Sequence, residues 1–174
     1  MVASMKQTRV HPMFEATINT ALPKAEFYRE LASQARSLLE GESNQIANAA
    51  NLSALIFHSL PQLNWAGFYF AIDGELVVGP FQGKPACVRI PMGRGVCGHA
   101  AQTQQTQVVP DVDAFPGHIA CDSASRSEIV IPLQKANGEL VGVLDIDSPV
   151  LARFDDDDRR GLEEVARIFV ASLE

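Results

Sequence analysis

The chain's three cysteines, Cys87, Cys97 and Cys121, lie in one stretch between Gly79 and Pro132, together with His99, His118 and the glycine-dense run Pro91-Met-Gly-Arg-Gly-Val-Cys-Gly-His99. A thiol does chemistry as its thiolate, which needs some exposure and an electropositive or amide-rich setting. Its oxidised form is resolved as a disulfide only where a second thiol comes within ~7 Å between Cα atoms. Cys97 has the strongest local argument. The glycine run feeds a short helix expected over residues 98–104, and a thiolate just before a helix start is stabilised by free amides and the helix dipole. Cys87 and Cys121 fall at loop positions. The spacings leave three uses open: a redox thiol, small inert core residues, or a zinc site using Cys97, His99, His118 and Cys121. The cramped Cys-x-His pair weighs against zinc. The histidines otherwise read as satisfied loop or core residues.

Carboxylates form the second candidate group. Glu128-Ile-Val-Ile-Pro-Leu133 and Leu140-Val-Gly-Val-Leu-Asp-Ile-Asp147 read as a hairpin turning at Asn137-Gly138. Strand alternation puts Val141, Val143, Asp145 and Asp147 on one face, with the two aspartates ~7 Å apart along it. Glu128 is expected to join them at one end of the sheet. Such a cluster is costly unless it binds a cation, shares a proton or meets solvent, and a ligand's amino group satisfies the first condition. Trp65 and Tyr69 share a strand face with Gly67 between them, which leaves room over the sheet for a ligand between two rings. Phe68 and Phe70 point the other way. The competing reading is a strand packed on both sides, with both rings in the core.

The elements that must position these groups follow the chain. Residues 1–20 show no clear period and read as a loose arm, and residues 21–174 as one domain. Helices are expected over 23–40 (apolar through Phe27, Leu31, Ala35 and Leu38) and 44–59 (through Ile46, Ala50, Ala54 and Phe57). A hairpin follows, with strands over 65–71 and 75–78 around Asp73-Gly74. Residues 79–85 are too rich in Gly and Pro for a regular element and read as a loop delivering Cys87. Short strands are expected at 87–90 and 108–109. The long connection 111–127 is rich in Asp, Gly and Ser, a length that points to a site. An amphipathic helix over 155–173 closes the chain, its four consecutive aspartates capping the N-terminus; calcium-loop spacing is missing there. Two hairpins with helices at both ends make an α+β sandwich with a central antiparallel sheet.

Composition narrows the function. The chain has 174 residues, 47% hydrophobic, and a formal net charge of -7. That balance, with no basic patch, argues against nucleic acid. No run approaches a membrane span and no apolar leader core stands at the N-terminus, so a soluble cytoplasmic protein is expected. The run Gly93-Arg-Gly95-Val-Cys-Gly98 fits the dinucleotide fingerprint literally, but Pro91 interrupts its approach and no βαβ unit follows.

Taken together, Asn64-Trp-Ala-Gly-Phe-Tyr69, Gly79-Pro-Phe-Gln-Gly-Lys84, Ala86-Cys-Val-Arg-Ile-Pro91, Gly93-Arg-Gly-Val-Cys-Gly98, Gly117-His-Ile-Ala-Cys121, Ser127-Glu-Ile-Val130 and Gly142-Val-Leu-Asp-Ile-Asp147 resemble the free methionine-(R)-sulfoxide reductases, a family of GAF-domain enzymes. The resemblance implies a GAF-like fold whose loops enclose a small-molecule pocket. It also implies reduction of free methionine (R)-sulfoxide to methionine, with no bound cofactor or metal and with thioredoxin as external reductant. It assigns attack to Cys121, resolution to Cys87, an auxiliary role to Cys97, pocket walls to Trp65 and Tyr69, and substrate binding to Glu128, Asp145 and Asp147. Glu128 is the carboxylic acid expected at the sulfoxide oxygen. A homodimer is suggested by the same likeness. On the nucleophile the resemblance overrides the helix-end argument, which favoured Cys97.

Overall fold

Alternation along the central strands sorts the apolar side chains into two cores. The structure, a computed structural model, describes residues 21–119 and 122–174; the expected N-terminal arm and Cys121 lie outside them. Strand β1 (Trp65–Ile72) pairs with β2 (Glu75–Gly83) on one side and β6 (Leu140–Ser148) on the other, with β3 (Arg89–Pro91), β4 (Gln107–Val109) and β5 (Ser127–Gln134) outward of these. The order is β3-β2-β1-β6-β5-β4, and every pairing is antiparallel. Helices α1 (Lys24–Leu39), α2 (Gln45–Ser59) and α4 (Asp156–Ala171) meet in one core with Ala66, Phe68, Phe70, Leu144 and Ile146. The rings of Phe68 and Phe169 stand 4.6 Å apart and fasten α4 to the sheet; truncating either to Ala would cost about 3–5 kcal/mol. The short α3 (Gly95–Thr103) covers the opposite face over Trp65, Tyr69, Val130 and Val143.

The first hairpin turn forms as its sequence dictates, while the second spans residues 135–139 with only Gly138 left-handed. Asp73 and Gly74 hold φ of 50° and 83°, the double left-handed pair that suits the twist of the flanking strands. Asp155 caps α4 by accepting from the amides of Asp157 and Asp158, while the Asp158 side chain returns to the Asp155 amide. Asp158 is buried and also receives Lys24 Nζ at 2.6 Å, Tyr28 Oη at 2.7 Å and Arg153 at 3.2 Å. The aspartate run is therefore a cap and the junction of α1 with α4. No helix among the described residues is long and apolar enough to cross a membrane.

Four local expectations need correction. Helix α2 buries Ala49, Leu52, Leu55 and Ile56, whereas Ile46 is 57% exposed and Ala50 is exposed. Two polar residues inside the face, Asn48 and Ser53, obscured its period; Asn48 Nδ2 donates to Glu42 O, and Ser53 Oγ lies 2.7 Å from Ala49 O. Residues 79–83 are strand, not loop. The register passes from Gly67↔Phe81 to Tyr69↔Val78, so Gly79 and Pro80 together oppose Phe68, and a bulge accepts a proline that lacks an amide hydrogen. Val141 turns to the helix-side core because the β5–β6 ladder slips between Leu133↔Gly142 and Gln134↔Leu140. Finally, β3 starts at Arg89 and α3 at Gly95, which places Cys97 inside the first turn instead of before it.

Candidate active site

The sheet face under α3 brings the carboxylates together. Glu128 on β5 stands opposite Asp147 on β6, and Asp145 lies two residues along the same strand face, opposite Val130. Glu128 and Asp145 are only 5% and 6% exposed; Asp147 is half-buried. From above, α3 contributes Cys97, whose Sγ donates to Glu128 Oε1 at 3.8 Å. From the connection between β4 and β5, His118 brings its Nε2 to 3.9 Å from Glu128 Oε2. These groups, with Tyr69, Arg94, Asp122 and Ser125, line a cavity of about 30 Å³. A second recess of about 20 Å³ lies beside it against Trp65, Pro85 and Ala86.

Electrostatics make this an acid cluster that holds protons. Burial, then the charges of Asp145 and Asp147, push Glu128 well above the ordinary carboxyl range. Burial raises Asp145 to about 6 and also raises Asp147, which Asp145 pushes further. Three carboxyls this close cannot all ionise, so the cluster retains protons into the neutral range. Asp145 Oδ1 is buried without a hydrogen-bond partner, which leaves an acceptor ready for a cationic or hydroxylic ligand. Ligand atoms of Cys97, Glu128 and Asp145 lie within 4.8 Å of one another.

The thiols separate sharply. Cys97 is free and 4% exposed, and burial followed by the charges of Asp145 and Glu128 raises its pKa well above the usual thiol value. The helix-end expectation of an activated Cys97 is overturned: the sulfur faces acids, not amides. Cys87 is disulfide-bonded. Cys121, expected to attack, lies outside the described residues. Asp122 and Ser125, which follow it in sequence, have side-chain partners. Asp122 accepts from the Ala124 amide at 3.0 Å, Asn64 Nδ2 at 3.2 Å and Lys84 Nζ at 3.3 Å. The Ala124 amide first, with Asn64 and Lys84, holds its carboxyl below the usual range against the upward push of burial. Ser125 Oγ accepts a further bond from Asn64 Nδ2.

Trp65 and Tyr69 do share the site face, but no gap separates them. Their rings stack at 5.8 Å, Phe81 stacks on Trp65 at 5.1 Å, and a Cβ on Gly67 would meet the indole at 2.7 Å. The space over Gly67 is thus filled by the tryptophan itself. Both polar tips hold the segment that carries Cys87: Trp65 Nε1 donates to Lys84 O, and Tyr69 Oη donates to Cys87 O at 3.1 Å.

A family model for the GAF domain matches residues 26–173. Protein YtsP of Bacillus subtilis is 57% identical over 86% of this chain and 93% of its own length. Free methionine-R-sulfoxide reductase of Escherichia coli is 54% identical over 87% of this chain and 88% of its own length. The chain belongs to the free methionine-R-sulfoxide reductase family of GAF-domain enzymes. The X-ray structure of the Neisseria meningitidis member in complex with its substrate aligns at a TM-score of 0.86 and 46% identity, over 92% of this chain and 96% of that one. The α+β architecture with its central antiparallel sheet is the GAF fold.

Within this family site, sequence reasoning missed His118 as a partner of Glu128, and Asn64, Asp122 and Ser125 as the clamp on the thiol loop. The spacing of His118, three residues before Cys121, was the one available signal. The clamp had none, since its partners are remote in sequence.

Proposed function

We propose that this protein reduces free methionine (R)-sulfoxide to methionine, with Cys121 as nucleophile, Cys87 as resolving thiol and Glu128 as the acid. The observation that carries this reading is a buried, proton-holding carboxyl cluster sharing a cavity with His118, Asp122 and Ser125, which flank Cys121 in sequence, in a chain whose resolving candidate is already in a disulfide. In the first step the Cys121 thiolate attacks the sulfoxide sulfur. The S–O bond breaks as Glu128 passes its proton to the oxygen, which moves onto Cys121 as a sulfenic acid, and methionine leaves. The Cys87 thiol then displaces that oxygen as water and forms the disulfide. An external dithiol, thioredoxin by the family reading, reopens it by exchange in the cytoplasm.

Substrate recognition follows from charge and shape. The substrate's ammonium fits Asp145 and Asp147, which ionise when a cation arrives. Trp65 and Tyr69 offer apolar faces to the thioether end. Cys97, buried and held as a thiol, acts on Glu128 as a hydrogen-bond donor and takes no electrons.

The test is direct. Reduced protein should consume free methionine (R)-sulfoxide with dithiothreitol, Cys121→Ser should not, and one equivalent of substrate should leave a Cys87–Cys121 disulfide by peptide mapping. A disulfide through Cys97, or turnover by the Cys121→Ser protein, overturns the assignment.

A further inference from the structure

The cavity has walls of opposite character. The buried acids Glu128, Asp145 and Asp147 form one side, and the start of α3 lines the other with Arg94, Gly95 and Val96. The glycine run that fails as a dinucleotide fingerprint builds this second wall. Gly93 and Gly95 hold left-handed φ of 78° and 62° on either side of an extended Arg94, a backbone that most side chains resist. The Gly93 amide donates to Gly98 O at 2.8 Å and the Arg94 amide to Pro91 O at 3.1 Å, which closes the turn. Arg94 is then the N-cap of α3, and its side chain makes no capping bond, so the partial positive charge of the first helical amides is left uncompensated.

Arg94 is exposed although it lines the cavity, which puts it at the mouth. Its guanidinium has no ion pair or hydrogen bond among the described residues. Across the cavity, Asp145 Oδ1 is also without a partner, on a residue only 6% exposed. One wall therefore holds an open acceptor and the other open donors. A ligand that completes both carries a cation and an anion on one small frame, and an α-amino acid does so on a single carbon.

Resting on the reductase reading above, we infer that Arg94, with the amides of Gly95 and Val96, binds the α-carboxylate of the substrate. The ammonium then faces Asp145 and Asp147, and the sulfoxide lies towards Glu128. A guanidinium meets a carboxylate with two parallel donors, a pairing that an ammonium cannot copy. The helix start adds its amides to the same anion. The acids alone would accept any small amine; the carboxylate contact confines the substrate to an amino acid. A methionine sulfoxide inside a peptide has turned both charges into neutral amides, so it satisfies neither wall. The cavity of about 30 Å³ must widen to admit an amino acid, and a long unpaired side chain at the mouth can follow that movement.

The experiment compares methionine (R)-sulfoxide with its α-carboxamide, each reduced with dithiothreitol, in the parent, Arg94→Ala and Arg94→Lys. The amide keeps the ammonium and the sulfoxide and lacks only the negative charge. In the parent, kcat/KM should be about 10²-fold higher for the acid. Arg94→Ala should lower it about tenfold for the acid, chiefly through KM, and leave the amide within about twofold. The preference that remains belongs to the helix amides. Arg94→Lys should fall between, as a point charge without the fork. Equal losses for acid and amide overturn the assignment, because a defect of folding does not distinguish them; so does a loss for the acid within about twofold. If the variants do not fold, a parent that reduces acid and amide equally well overturns it on its own. A parent that reduces neither removes the reductase reading instead, and the carboxylate subsite with it.

Discussion

A carboxyl buried beside two others resists ionisation, so the proton that serves the chemistry also relieves strain in the folded chain. Glu128, Asp145 and Asp147 all bind protons more tightly folded than unfolded. Below about pH 4 both states are protonated and the groups are neutral in the balance. As pH rises from there, the unfolded chain releases its protons first. Stability therefore declines through Asp145's value of about 6 and beyond it for Glu128. Glu128→Gln should flatten that decline and raise the melting temperature at about pH 8, while slowing methionine formation by about 10²–10³-fold, the scale of a lost transition-state donor. Thermal unfolding at several pH values checks the first part, and an unaltered slope would contradict it. The two remaining thiols give a paired test. Cys97 is a buried donor to Glu128 and Cys87 is already in a disulfide, so Cys87→Ser should stop after one methionine per chain, whereas Cys97→Ser should continue to cycle with thioredoxin. Arrest of both at one equivalent would return Cys97 to the redox pathway.

At the scale of elements, the contact of α1 with α4 shows how packing overrides propensity. Gly161 sits inside α4, where alanine would gain about 1 kcal/mol of helix propensity. A Cβ there would stand 2.1 Å from the Tyr28 ring, and Tyr28 cannot retreat without giving up its 2.7 Å bond to Asp158. Overpacking of this kind costs about 1–3 kcal/mol, so Gly161→Ala should destabilise the fold in urea, and a stabilised variant would show that α1 moves freely. The same competition explains what was legible in the sequence. The ends of α1, α2 and α4, the Asp73-Gly74 turn, the α4 cap and the paired strands bearing Glu128 and Asp147 are set by neighbours in sequence and could be read directly. The buried face of α2 could not, because Asn48 and Ser53 find partners in Glu42, Ser172 and Pro80 that only the fold supplies. Nor could the strand through Pro80 or the turn of Val141, both consequences of bulges that register alone reveals. In the site, the carboxylates were legible from strand alternation. The environment of Cys97 was not: one turn's shift in the start of α3 exchanges free amides for two buried acids.

For the molecule as a whole, the size of the cavity bears on how a substrate could enter. About 30 Å³ between Tyr69, His118, Glu128 and Asp145 holds roughly two waters, and an amino acid is several times larger. With Cys87 in its disulfide, this lining leaves little room for an amino acid. One wall carries His118, Ile119, Asp122 and Ser125, held by Asn64 and Lys84 and by the Ser125 side chain on Asp147. On the other side, Tyr69 and Trp65 grip the backbone at Cys87 and Lys84. A disulfide from Cys87 to Cys121 would tie these two walls together, and its reduction would remove that tie. A ligand shifts such an equilibrium only by its differential affinity for the two states. Methionine, the unreactive product, should accordingly bind the reduced protein at least about tenfold more tightly than the disulfide form, a difference of about 1.4 kcal/mol. Calorimetric titration of both forms measures it, with Cys121→Ser as a permanently open control. Equal affinities would mean that the wall opens without reduction, and that thioredoxin resets the chemistry without also readmitting the substrate.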